Sequence, residues 1–67
     1  MASVRIVEGV AWFRWIVRYT LASGARRRMV RWSPGIPWIR GEVGRELVER
    51  FGREGIKPGS VTIREGF

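Results

Sequence analysis

From Phe13 to Leu21 every second residue is large and apolar: Phe13, Trp15, Val17, Tyr19 and Leu21. Between them stand Arg14, Ile16, Arg18 and Thr20. Successive side chains of a β-strand point to opposite faces, so this period of two predicts a strand with one core face and one arginine-bearing face. Read as a helix, residues 10–21 would gather Ala11, Trp12, Trp15, Ile16 and Tyr19 on one side and Arg14 and Arg18 on another. That is the pattern of a cationic helix lying on a membrane surface. The β-branched and aromatic content favours the strand, and so does the Ser23-Gly24 turn signal that follows.

Beyond that turn, residues 26–32 read RRRMVRW and form a second strand candidate. Residues 12–32 together hold three of the four tryptophans and six of the twelve arginines. A two-residue Ser23-Gly24 turn would pair Ala22 with Ala25. Trp15 would then face Trp32, Val17 would face Val30, and Tyr19 would face Arg28. One side would carry Phe13, Trp15, Val17, Tyr19, Leu21, Val30 and Trp32. The other would carry Trp12, Arg14, Ile16, Arg18, Thr20, Arg27, Met29 and Arg31. A three-residue loop slips the register by one residue and turns over the whole second strand. Arg26 and Arg28 would then look outward, and Arg27 and Arg31 inward. An unpaired guanidinium is costly to bury, so the first register is expected. Arg14 and Arg18 face outward in either register. The candidate contact residues are Arg14, Arg18, Arg27 and Arg31 with Trp12 beside them, and Arg28 joins them under the longer loop. Trp15 and Trp32 are assigned to the core, while Trp12 and Trp38 are left open between core and surface.

Residues 3–7 predict a short first strand, and residues 38–52 a helix. Ile39, Val43, Leu47 and Phe51 recur every four residues and make one apolar stripe. Pro37 suits the first helical position, and Gly52 or Gly55 can end the helix. Gly44 is read as a point of close approach to the sheet, and Gly41 as a sign of a later helix start. Residues 60–64 predict a last strand, with Val61 and Ile63 on one face. The expected fold class is α+β: a small antiparallel sheet of order β-β-β-α-β packed on one α-helix, in a single domain over residues 1–67. A chain of 67 residues buries only about 60% of its unfolded surface. A homodimer would ease that shortage.

The net charge is +7, and it is unevenly spread. Residues 1–40 hold eight Arg against one Glu, whereas residues 41–67 hold five Arg or Lys against five Glu. A basic half of this kind points to a polyanionic partner. Surface arginines often do no more than keep a sheet in solution, but here few acids lie nearby to neutralise them. Nucleic acid is the expected partner, bound mainly through its backbone, with DNA favoured over RNA. Single-strand platforms use several aromatic rings, and the preferred register turns only Trp12 outward.

Cys, His and Asp are absent, which removes disulfides, the common zinc sites and every His-based triad. The segment GREGIKPGS lacks the GK[ST] ending of a phosphate-binding loop. No enzymatic activity, cofactor, metal or small-molecule substrate is therefore expected. The competing readings are a protein–protein module, or small subunit of an RNA–protein or phage assembly, and a cationic membrane-surface binder. No signal-peptide pattern opens the chain, and Arg14 and Arg18 interrupt its longest apolar run, so a cytoplasmic location is expected. Many Arg and Glu with no Asn or Gln point to heat adaptation, with GC-rich coding as the alternative.

The run GVAWFRWIVRYTLASGARRRMVRW followed by RELVERF resembles the small three-stranded DNA-binding domains of the phage integrase arm type. The likeness covers residues 9–52: an aromatic strand, a glycine turn, a basic returning strand and a helix. It implies a sheet face that enters the DNA major groove, carried here by Arg14, Arg18, Arg27 and Arg31. Two departures separate the chain from that pattern. A further strand is expected at residues 60–64, and no recombinase catalytic domain follows, so integrase activity is not implied. Size and charge are similar to those of small basic chromatin proteins of heat-loving archaea, without a shared motif.

Overall fold

The computed structural model describes residues 4–66. Ser3, expected to open the first strand, lies outside them. Four strands and one helix follow in the order β1 (Val4–Val7), β2 (Val10–Thr20), β3 (Arg26–Ser33), α1 (Ile36–Phe51) and β4 (Thr62–Glu65). This is the expected α+β arrangement.

β2 is the spine of the sheet. Its eleven residues, at about 3.4 Å each, make roughly 37 Å, close to the 40 Å long axis of the molecule. β3 pairs antiparallel along one edge of β2, from Phe13↔Ser33 to Thr20↔Arg26. The other edge is shared end to end. β1 pairs with its first part through Val4↔Phe13 to Val7↔Val10, and β4 with its second part through Trp15↔Glu65 to Arg18↔Thr62. After the helix the chain runs back beside the far end of β2. The Lys57 amide donates to Thr20 O at 2.8 Å, and the Ala22 amide to Gly55 O at 2.8 Å. The Ser60 hydroxyl accepts from the Thr20 amide at 3.1 Å.

One face of the sheet is covered by α1. The predicted stripe is what it buries: Ile39, Val43 and Leu47 are sealed, and Phe51 packs at the margin. Against them stand Trp15, Val17, Tyr19 and Met29 of the sheet. The Trp15 indole Nε1 donates to Ser33 O at 3.2 Å, so this buried ring keeps its one polar atom satisfied. Tyr19 and Phe51 rings meet at 5.8 Å between centroids. Pro37 sits in the first turn, where a missing amide hydrogen costs nothing, and Gly52 closes the helix with its amide donating to Val48 O.

Gly41 and Gly44 correct two expectations. Both lie inside the helix and exposed, and a Cβ on either would meet nothing within 4 Å. Gly41 does not mark a later start, and Gly44 permits no close approach. Each only weakens the helix. Gly41→Ala and Gly44→Ala are expected to stabilise the protein by roughly 0.5–1 kcal/mol each, read as a rise of several degrees in Tm. A fall in Tm would mean that these positions contact something in solution.

Candidate nucleic-acid interface

The hairpin between β2 and β3 fixes which arginines share a face, and it adopts the three-residue loop. Leu21 pairs with Ala25 around Ala22, Ser23 and Gly24: the Leu21 amide donates to Ala25 O and the Gly24 amide to Leu21 O, both at 2.8 Å. Gly24 has φ +94°, the left-handed residue that ends a loop of this length. The expected two-residue turn would have required positive φ at Ser23, which glycine accepts and serine resists. The observed pairs are Trp15↔Arg31, Val17↔Met29 and Tyr19↔Arg27, not Trp15 with Trp32, Val17 with Val30 and Tyr19 with Arg28.

This slip reassigns every residue of β3. Met29 enters the core, and Val30 and Trp32, expected inside, move to the outer face. Arg31, expected outside, turns toward the helix, where the cost of an unpaired guanidinium does not arise. Its Nε donates to Glu46 Oε1 at 3.0 Å, and its Nη2 meets Glu46 Oε2. Arg50 approaches the same carboxylate at 3.6 Å. The hydrogen bond from Arg31 holds the Glu46 carboxyl below the ordinary carboxylate range, against the opposing effect of burial, and the same bond raises the Arg31 guanidinium. Arg31 is therefore a clamp between sheet and helix and leaves the candidate contact set. Arg27 also turns to the helix side, opposite Tyr19, but stays exposed.

Parity then gives the outer face. β2 contributes Val10, Trp12, Arg14, Ile16, Arg18 and Thr20, and β3 contributes Arg26, Arg28, Val30 and Trp32. β1 adds Arg5 and Val7, because Arg5 pairs with Trp12 and Val7 with Val10. β4 adds Thr62 and Arg64, because these pair with Arg18 and Ile16. Six arginines share this face, and no strand residue on it is acidic. Arg18 stands directly across from Arg28, a placement of like charges that destabilises a sheet. Among the described residues both salt bridges run to Glu46, on the opposite side of the sheet.

The face has two chemically distinct ends. At one, Arg18, Arg26 and Arg28 border a recess of about 300 Å³ that wraps the end of the sheet, with Thr20 and Ser60 and, from the helix side, Tyr19 and Arg27. At the other, Trp12 and Trp32 are half-buried, and the Arg5 guanidinium lies 4.3 Å from the centre of the Trp32 ring. Arg14 sits between the ends and donates to Gly66 O at 3.2 Å. Of the sequence candidates, Arg14, Arg18, Arg28 and Trp12 are brought together on this face, and Arg27 reaches its edge. Arg5, Arg64 and Trp32 were not among them, and Arg26 was expected outward only under the longer loop. Arg5 and Arg64 alternate with Val4, Ile6 and Ile63, and that period of two already marks them as outward.

Among the described residues no group of three or more His, Cys, Asp or Glu is placed to hold a metal ion, and no helix is long and apolar enough to cross a membrane. No protein-family model, curated protein or solved structure matches this chain.

Proposed function

We propose that the protein binds nucleic acid, without catalysis, through the outer face of its sheet. The observation that carries this reading is the Arg18↔Arg28 pair on a face of six arginines without an acid. A sheet built for stability alone gains nothing from that pairing, whereas a phosphate between the two guanidinium groups turns the repulsion into attraction. The indoles and aliphatic groups among the arginines offer surface for bases and sugars. The likeness of residues 9–52 to integrase arm-type domains points the same way, although Arg31, carried over from that likeness, is engaged with Glu46. The expectation of a duplex rather than a single strand rested on a single outward ring, and Trp32 on the same face as Trp12 removes that ground.

The test is a titration of single-stranded DNA, duplex DNA and RNA at several salt concentrations. About four to six phosphate contacts predict a slope of log K against log salt of roughly −3 to −5. Absence of binding at low salt would overturn the reading.

A second reading, a subunit of a larger assembly or a homodimer, is favoured by the β1–β2 hairpin. Val4, Ile6, Val7 and Val10 are 42%, 66%, 43% and 49% exposed there, Val4 and Ile6 on the helix side of the sheet and Val7 and Val10 on its outer face, so one end of a small domain leaves apolar side chains uncovered on both sides. A monomeric mass in sedimentation at working concentration would remove the homodimer. The membrane-surface alternative loses its footing, because residues 10–20 form a strand and not the amphipathic helix it required.

A further inference from the structure

We infer that the nucleic acid taken by this face is single-stranded, and that the Trp12–Trp32 end is a stacking site for an unpaired base. This rests on the reading of the outer face as a nucleic-acid surface. A recess of about 260 Å³ at this end is walled by Arg5, Val7, Trp12 and Trp32. Three of its four walls are apolar side chains, and the fourth is a guanidinium lying against the Trp32 ring. Aromatic rings and guanidinium planes are the groups on which splayed-out bases stack.

Duplex binding gives these groups nothing to do. A base pair inside a helix offers only its edges in the grooves, and those are read by hydrogen-bonding side chains that reach into the groove. Trp12 and Trp32 are half-buried against the sheet, so they do not project that far. A half-buried indole on a sheet can meet the face of a base only where that face is exposed, as it is in a single strand. Trp12 and Arg18 lie six residues apart on β2, which is roughly 20 Å. A single strand can thus lay a base on the indoles at one end while its phosphates reach the Arg18, Arg26 and Arg28 cluster at the other. Arg14 stands midway along that path and faces the same side.

The inference is tested with the intact protein and three probes of about twelve nucleotides per strand, of which the two single strands carry equal numbers of phosphates. These are a single strand with bases, the same strand with abasic sites throughout, and a duplex. The base-bearing strand is expected to bind roughly tenfold or more tighter than the abasic one, and to quench tryptophan fluorescence where the abasic one does not. Trp12→Leu and Trp32→Leu are expected to abolish that preference while leaving the salt slope unchanged, and Trp32→Tyr to keep part of it. Equal binding of base-bearing and abasic strands by the unmodified protein would overturn the stacking site and leave the phosphate-binding face standing. A duplex that binds tighter than the base-bearing strand would overturn the single-strand assignment. Failure of all three probes would remove the underlying function instead.

Discussion

Arg18→Thr combined with Arg28→Thr is expected to raise stability and weaken nucleic-acid binding in the same molecule. Arg18 and Arg28 are directly paired across β2 and β3, and Arg18 is also paired with Thr62 of β4. Like charges directly across a sheet cost a few tenths of a kcal/mol to about 1 kcal/mol, and threonine pairs well on a pleated surface. The melting temperature should therefore rise by a few degrees. Each lost charge-assisted contact to a phosphate is worth about 1.5 kcal/mol, so the pair should weaken binding on the order of a hundredfold. The salt slope should flatten by about 1.5–2. Stability and affinity moving in opposite directions is the mark of a charge pair kept for a ligand. A variant that loses both would place these arginines among the groups that hold the sheet together.

Ile39→Ala is the second large effect. Ile39 is 1% exposed and sits under the helix against the Trp15–Val17–Tyr19 face. Truncating a buried Ile to Ala costs about 2–5 kcal/mol. A domain of 67 residues has on the order of 3–10 kcal/mol of stability in total. At about 4–8 °C per kcal/mol, Tm is expected to fall by roughly 10–40 °C, with part of the population unfolded at room temperature if the total is at the low end. Trp38→Ala is the control: that ring is 65% exposed, so its removal should shift Tm by no more than a few degrees. The reverse order of effects would mean that the helix meets its partner through Trp38 rather than through the Ile39 stripe.

The order of elements was legible because each one repeats its own period. Phe13 to Leu21 alternates, Ile39 to Phe51 recurs every fourth residue, and glycine or proline stands at each break. The register of the hairpin was not legible. Ala22, Ser23 and Gly24 accept either a two- or a three-residue loop, and a difference of one residue turns over all of β3. What decides it is partly local, since only Gly24 takes the left-handed conformation without cost. The other part is distant. Arg31 can turn inward because Glu46, fifteen residues on, meets it from the helix. From the sequence alone Glu46 reads as a partner of Arg50 on a solvated helix face, a role it fills only in part. The core pattern of β3 was misread for the same reason. Met29 is a single buried apolar residue among arginines, whereas Val30 and Trp32, more apolar by type, lie outside.

The site was half legible. Arg14 and Arg18 face outward in any register, because β2 carries the strongest alternation. The β3 contributors depended on the loop, and Trp32 changed sides with them. That single change brings a second ring to the basic face and shifts the expected ligand from duplex DNA toward an unpaired strand.

The most direct measurement is a side-chain NMR titration with a single-stranded oligonucleotide. It follows the arginine Nε–H and tryptophan indole Nε1–H resonances. The Arg14, Arg18, Arg26 and Arg28 signals and the Trp12 and Trp32 indoles should move with the added ligand. Arg31 Nε is bonded to Glu46 and the Trp15 indole to Ser33 O, both on the helix side, so these should stay in place. Shifts confined to Arg31, Trp15 and the helix arginines, with the outer-face signals unmoved, would contradict the assignment of function to this face.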